Sequence, residues 1–338
     1  MKSVVSLFSG AGGMDLGFIA AGYQVLYAND HNKHACESYK SNIGNHIVHD
    51  SIKNIDVADI PDSDVIIGGP PCQGFSVAGK MSADDERSQL VYDFAEIVVK
   101  KSPKAFVMEN VDHLGKSPSF SKTKNSLLEI FKQAGYTVEV GILLASDFGV
   151  PQRRKRFFMI GVKSKSNDCS LIPTPTGEHA PTARDILQSF PPAGSKGNER
   201  TTNAKINFAS NPVMRKSPYA GMMFNGLGRP IDLDRPVQTL AASFGGNKTP
   251  IIDINQLRDN EEPWIEKYHQ WLSDGNEPNL GQAPSFLRRM TIDECIAFQD
   301  FPRDYELKGP VSSMFRQIGN AVPPGLAEAV ASNLLVHI

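Results

Sequence analysis

No two of the four cysteines, Cys36, Cys72, Cys169 and Cys295, form a C-x-x-C pair. That spacing excludes a zinc knuckle and a dithiol redox site, and it offers no disulfide framework. Three of the four read as small buried hydrophobes. Long apolar runs are missing as well. The apolar start Val4-Val5-Ser6-Leu7-Phe8 is far too short to span a membrane and lacks the layout of a signal peptide. Nor is there an excess of basic charge: 35 Lys and Arg against 37 Asp and Glu leave a net charge of −2. Bulk charge therefore does not advertise a nucleic-acid binder, but local patches rather than the average set phosphate contacts. Internal repeats and low-complexity tracts are also absent. What remains is ordinary globular composition, 40% hydrophobic and 21% charged over 338 residues. It is enough for one large domain plus a smaller one, in a chain of cytoplasmic type.

The first half alternates two periodicities. Strand-like runs lie at Val4–Phe8, Val25–Ala28, His46–His49, Val65–Ile67, Ala105–Met108, Val138–Leu144 and Arg156–Val162. Amphipathic stretches fall between most of them, around Met14–Ala21, Lys33–Ser41, Gln89–Lys101 and Thr123–Ala134. This alternation predicts an α/β fold with a doubly wound, mostly parallel sheet covered on both faces. From about Lys163 the pattern changes. Pro173, Pro175, Pro181, Pro191 and Pro192 crowd together, and no long helical period appears before Asp259–Leu272. Residues 164–285 are expected to form a smaller, loop-rich domain, with 1–163 plus 286–338 as the main one. Pro323-Pro324 can open a last helix running through Leu326–Leu335.

The first strand runs into Ser9-Gly10-Ala11-Gly12-Gly13 and then a helix. A glycine-rich strand-to-helix turn brings backbone N–H groups against a ligand. A dinucleotide fingerprint would place a third glycine where Asp15 stands. Asp30 closes the next strand, placed to accept from ribose hydroxyls, and Asp50 ends the third at the same rim. Singly these are turn glycines or capping aspartates; together they favour a nucleoside ligand without a pyrophosphate.

The fourth strand leads to Gly68-Gly69-Pro70-Pro71-Cys72-Gln73-Gly74-Phe75-Ser76. Two prolines and flanking glycines make a stiff turn that can present a thiol at the sheet's carboxyl edge. The fifth strand ends in Glu109-Asn110-Val111 at that edge, where Glu109 is either functional or a cap for the following segment.

Taken in order, Phe8–Gly13, the Pro-Pro-Cys-Gln turn, Glu109-Asn110-Val111 and Gln152-Arg153-Arg154-Lys155-Arg156 resemble successive motifs of the C5-cytosine DNA methyltransferases. Arg235-Pro236-Val237-Gln238-Thr239-Leu240 resembles the family's ninth motif, and Gln317–Pro324 its tenth. The resemblance implies a Rossmann-like fold that uses S-adenosylmethionine as cofactor. It implies catalytic roles for Cys72 as nucleophile, for Glu109 at N3 of the base, and for Arg154 and Arg156 near the base and its sugar-phosphate, with Arg156 on the carbonyl oxygen. Cytosine C5 is too electron-poor to attack a methyl donor until a thiolate adds at C6. The target base must leave the duplex stack for this to happen. The loop Val77–Arg87 resembles the family's lid after the nucleophile.

By the same resemblance Phe8, Gly10, Ala11 and Gly13 form the turn at the methionine end of the cofactor, and Asp30 the ribose contact. Asp50 and Ser51 lie at adenine, while Pro70, Leu90, Asn320 and Ala321 complete the pocket. The residue after the ribose carboxylate, often aromatic or apolar in the family, is His31 here. Residues 164–285 take the place of the target recognition domain, with basic residues at Arg215-Lys216, Arg229, Arg235 and Lys248. Arginines reading guanine and lysines on phosphates are the expected use. The implied partner is double-stranded DNA, with a cognate restriction endonuclease as the usual functional pairing and a monomer as the default. The alternatives are a tRNA cytosine-5 methyltransferase of the same architecture, a binding module that lost catalysis, and a nicotinamide-dependent oxidoreductase. The long stretch between Arg156 and Arg235 favours DNA, intact Cys72, Glu109, Arg154 and Arg156 oppose the second, and Asp15 opposes the third.

Overall fold

A computed structural model describes residues 1–71, 86–163, 169–177, 179–259 and 261–338. The strands β1 (Ser3–Leu7), β2 (Gln24–Asp30), β3 (Ile47–His49), β4 (Val65–Gly68), β5 (Ala105–Val111), β6 (Thr137–Leu144) and β8 (Lys155–Val162) join in one seven-stranded sheet. Its order is β3-β2-β1-β4-β5-β8-β6. All seven expected strands are present, and the order reverses beside β1, the switch point at which such sheets bind ligands.

The mostly parallel expectation holds with one antiparallel member, β8, inserted between β5 and β6. The reason is local. Between β6 and β8 lie only a 3-10 turn, Ala145–Phe148, and the short β7 (Gln152–Arg153). No crossover helix intervenes, so β8 must return alongside β6 in the opposite direction.

Side-chain alternation buries both faces of the sheet. Val4, Val65, Ile67, Val107 and Ile160 point to one face, where α1 (Gly13–Ala20) and α11 (Pro324–Leu335) supply Phe18, Leu326 and Val330. Their neighbours Val5, Ile66, Phe106 and Met159 point to the other, where α3 (Glu86–Lys101) and α5 (Ser121–Gln133) supply Phe94 and Phe131. Two buried faces explain why these strands read as continuous apolar runs. The remaining elements of this half, α2 (Lys33–Asn42) and α4 (Asp112–Lys116), follow β2 and β5.

Beyond Val162 come α6 (Ala183–Gln188), a β9–β10 hairpin (Phe208–Val213, Met222–Phe224), β11 (Val237–Gln238), β12 (Ile251–Asp253), α7 (Ile254–Arg258) and α8 (Trp264–Ser273). The helical period expected from Asp259 begins instead at Trp264, because Pro263 interrupts it. Asp253 caps α7 and also accepts from Trp264 N at 3.2 Å. The chain closes with β13 (Leu287–Arg289), α9 (Ile292–Phe298), α10 (Val311–Asn320) and α11. Two pairings tie this half together and to the first: β12 runs antiparallel to β13, and β11 parallel to β7, which lies outside the seven-stranded sheet just before β8. Leu187, Leu233, Leu240 and Leu257 share one core with Ile292, Ile296, Phe298 and Phe315. Among the described residues no helix is long and apolar enough to cross a membrane.

Candidate active site

The carboxyl ends of β1, β2 and β3 are laced into one rim. Ser9 N donates to Asn29 O at 2.9 Å, and Asn29 Nδ2 donates to Asp50 O at 2.9 Å and Val48 O at 3.1 Å. The glycine turn rises above this rim in left-handed backbone: φ is 56° at both Phe8 and Gly10, and 84° at Gly12. For Phe8 that conformation costs energy, which marks the turn as one held for its shape. Gly10 N donates to Asp30 Oδ2 at 2.9 Å, and Asn32 N donates to Oδ1 at 2.7 Å, so the Asp30 carboxylate is oriented from both sides. A Cβ on Gly10 would meet nothing within 4 Å, leaving open space above the turn. Asp50 is exposed and accepts from Ser51 N at 2.6 Å and Asn54 Nδ2 at 2.8 Å. The His31 ring is largely exposed, with Nδ1 3.7 Å from Asp30 Oδ1.

The far end of the chain closes on the same turn. A Cβ on Gly13 would lie 2.3 Å from Val322 O and 3.2 Å from Ala321 Cβ, so only glycine lets the Asn320–Val322 link approach. Ala321 is half-buried there, and Asn320 is exposed at the end of α10. Ala11 is buried, and its carbonyl accepts from the Tyr305 hydroxyl. Leu90 sits half-buried on α3 against the core of that face.

Next to this rim is the candidate chemical centre. Glu109 and Arg156 lie on adjacent antiparallel strands, Glu109 opposite Phe158 and Arg156 opposite Val111. That diagonal places both side chains on one face, within reach of each other. Arg156 Nε is 2.9 Å from Glu109 Oε1. Burial pushes the Glu109 carboxyl above its ordinary range, against the downward pull of Arg156 and Arg154. Above it passes the backbone leading to Cys72: a Cβ on Gly69 would sit 3.0 Å from Glu109 Oε2. Asn110 Nδ2 donates to Pro70 O at 2.9 Å, clamping that turn to the end of β5. The expected nucleophile Cys72 lies outside the described residues, as do residues 77–85 of the expected lid.

Arg154 is fully buried and does not face the open edge. Its guanidinium donates to Leu240 O at 2.8 Å and Gly319 O at 2.7 Å, tying the junction of β7 and β8 to the segment after β11 and to the end of α10. Sequence reasoning missed three buried polar groups around the site. Asn110 had a signal, since it follows the candidate catalytic carboxylate. Gln299 and Asp15 had none beyond being polar in apolar surroundings. Asp15, first noticed for not being glycine, is buried beneath the turn and accepts from Ser6 Oγ at 2.9 Å and Tyr39 Oη at 2.8 Å.

In the second half, Arg215, Lys216, Arg229, Arg235 and Lys248 are all exposed. The loops carrying Arg229 and Lys248 are joined by Gly228 N to Asn247 O at 3.1 Å. Beneath them Arg289 donates to Thr249 O at 2.8 Å and Asn225 Oδ1 at 3.0 Å. Among the described residues no cluster of His, Cys, Asp and Glu could hold a metal ion.

The family model for C-5 cytosine-specific DNA methylases matches residues 2–335. The Type II methyltransferase M1.HphI of Haemophilus parahaemolyticus is 32% identical, the match covering 98% of this chain and 86% of that protein. M.NgoFVII of Neisseria gonorrhoeae is 33% identical with the same coverages, 98% and 86%. M.MthTI of Methanothermobacter thermautotrophicus is 32% identical over 98% of this chain and 96% of its own length. Among solved structures, the Entamoeba histolytica methyltransferase EhMeth shares the fold with a TM-score of 0.71 at 16% identity, covering 99% of this chain and 98% of that one. The S. pombe Dnmt2 methyltransferase does so at 0.70 and 18%, with coverages of 99% and 98%.

Proposed function

Because the chain belongs to the C-5 cytosine-specific DNA methylase family, we propose that it is the modification enzyme of a restriction-modification system, methylating C5 of a flipped-out cytosine in a specific duplex sequence. The observation that carries this reading is the buried Glu109–Arg156 pair set directly beneath the turn that leads into Cys72.

In the proposed reaction the Cys72 thiolate adds to C6 of the base. Glu109, whose carboxyl burial raises, donates to N3 as charge develops there. Arg156 holds the Glu109 carboxylate and faces the base carbonyl. Arg154 acts one step back, fixing the strand that carries Arg156. Once C5 carries the methyl, its proton passes to solvent and elimination releases Cys72 as the thiolate, restoring the aromatic ring, while the N3 proton returns to Glu109.

S-adenosylmethionine fits the open space above Gly10, where it would supply an electrophilic methyl on a sulfonium. Phe8, Gly10, Ala11 and Gly13 would line its methionine end, Asp30 its ribose, and His31, Asp50 and Ser51 the adenine side. Pro70, Leu90, Asn320 and Ala321 would close the pocket. Residues 164–285 serve as target recognition domain, and one active site on one flipped base suffices for a monomer. The exposed basic residues at 215, 216, 229, 235 and 248 are the candidate DNA contacts.

Bisulfite sequencing of DNA from a methylation-free host expressing the protein, beside a Cys72→Ser control, tests the function. Protected cytosines in one short motif, absent from the control, are expected. Cofactor-binding protein that leaves every cytosine unprotected would overturn the DNA reading and direct the assay to tRNA.

A further inference from the structure

Two consecutive residues, Gln299 and Asp300, grip both ends of the link between α10 and α11. Gln299 Nε2 donates to Ala321 O at 2.6 Å, and the Asp300 carboxylate accepts from Gly325 N at 2.7 Å. Asp300 holds φ at 66°, a conformation uncommon outside glycine, while making that bond. The other end of the Gln299 amide faces the catalytic strands. Its Oε1 accepts from Gln152 Nε2 at 2.7 Å, and Gln152 Oε1 accepts from Leu240 N at 2.9 Å. Two residues further along, Arg154 reaches Leu240 O and Gly319 O. Gln152, Arg154 and Gln299 are each fully buried.

The result is a polar bracket through the interior. It runs from Ala321 and Gly319, beside the glycine turn, through three side chains to the strand that carries Arg156. An apolar side chain could fill the volume of Gln299. It could not hold Ala321 O and the Gln152 amide at fixed positions: Ala321 O would lose its Gln299 donor, and Gln152 Nε2 would keep only Phe298 O, at 3.1 Å. A bracket of this kind has one low-energy geometry, because any sliding of the Asn320–Val322 link breaks a buried bond.

We infer that Gln299 is a positioning residue that holds the cofactor-facing link in register with the Glu109–Arg156 pair. It touches neither cofactor nor base. The inference rests on Asn320 and Ala321 forming part of the cofactor pocket, as proposed above. Weakening the bracket therefore loosens cofactor binding from behind and slows methyl transfer at saturating cofactor.

The test uses the full-length chain in three forms, parent, Gln299→Met and Asn320→Ala. S-adenosylhomocysteine binding is measured by calorimetry, single-turnover methylation at saturating S-adenosylmethionine, and the thermal midpoint. Gln299→Met is expected to weaken S-adenosylhomocysteine about tenfold, the loss that goes with one buried hydrogen bond. A purely structural glutamine would lower the midpoint and leave the dissociation constant of the folded protein unchanged. If Asn320→Ala weakens binding and Gln299→Met does not, the pocket stands and the positioning role falls. If neither variant changes binding, the pocket assignment falls and takes this inference with it. Should Gln299→Met fail to fold, Gln299→Glu decides in the same way, since it keeps the acceptor for Gln152 and, when ionised, loses the donor to Ala321.

Discussion

Arg156 Nε lies 2.9 Å from Glu109 Oε1, and both side chains are mostly buried at the carboxyl edge of the sheet. Burial raises the Glu109 carboxyl, and Arg156 is the nearest charge opposing that rise. Arg156→Met removes the opposition, so the protonated form of Glu109 should persist to higher pH. In the proposed reaction that form donates to N3. The basic limb of the pH–rate profile is therefore expected to move up while the maximum rate falls. Glu109→Gln, which can donate a hydrogen bond but not a proton, should lose about 10²-fold or more in rate. A profile whose basic limb stays put in Arg156→Met would remove the pair from proton transfer.

Asn110 offers a cleaner separation of chemistry from binding. Its amide holds Pro70 O at 2.9 Å, two residues before the proposed nucleophile, and lies on the opposite side of β4 from the glycine turn on β1. Asn110→Ala frees that turn. Displacing a nucleophile by about 1 Å can cost on the order of 10²-fold in rate. The expected outcome is a fall of roughly 10- to 100-fold in single-turnover methylation, larger than the loss of S-adenosylhomocysteine affinity transmitted through Pro70 at the edge of the proposed pocket. Equal losses in both measurements would mean that the clamp serves general stability instead.

Gly13 and Gly10 should fail for different reasons. A methyl group on Gly13 meets the Val322 carbonyl at 2.3 Å, a backbone atom that cannot swing aside, so Gly13→Ala must push the Asn320–Val322 link away from the turn. Forced overpacking of this kind costs about 1–3 kcal/mol. Cofactor affinity should fall along with stability. Gly10→Ala meets no atom within 4 Å but must hold φ at 56°, so its cost is the conformational strain of roughly 1 kcal/mol. Urea unfolding should rank Gly13→Ala as the more damaging to stability, while calorimetry should show both variants losing cofactor affinity, Gly10→Ala because its methyl enters the proposed cofactor space.

Much of this architecture is legible in the amino-acid order, and the limits have physical causes. Strands buried on both faces announce themselves as short apolar runs, as β1, β4, β5 and β8 do. The candidate catalytic edge is legible because the proposed chemistry needs rare residue types in stiff settings, such as Glu109 near the end of β5 and two prolines before Cys72. What the sequence hides is the partner of each polar group. Nothing local distinguishes Arg154, sealed against Leu240 O and Gly319 O, from its exposed neighbours Arg153 and Lys155. The short helices α6 and α9 escape periodicity because each spans under three turns. Their signals are instead the capping boxes Thr182/Asp185 and Thr291/Glu294. The second half reads as loops because its elements are brief and its core is shared across distant segments, Leu233 with Phe315 among them.

Asp15 carries the last prediction, on pH and stability. It is fully buried beneath the glycine turn, between the hydroxyls of Ser6 and Tyr39, with Tyr39 also bound to His46 at 3.0 Å. Burial pushes its carboxyl from 3.8 up to about 6, the two hydroxyls only partly offsetting that rise. A carboxyl raised in the fold favours the folded state while it is protonated. Its contribution is thus complete below 3.8, and it is lost as pH climbs through about 6. Over that window the loss amounts to roughly 3 kcal/mol. Asp300, likewise raised to about 6 by burial, adds a loss of the same sign in the same range. Asp64, drawn down to about 2 chiefly by its hydrogen bond from Lys104, acts oppositely and only below the window. Asp15→Asn keeps an acceptor for one hydroxyl and has nothing to titrate, so its stability should decline less steeply between about pH 4 and pH 7 than that of the parent. Urea unfolding at a series of pH values across this range measures the difference directly. Parallel curves for parent and Asp15→Asn would show that the Asp15 carboxyl titrates alike in the folded and unfolded chains.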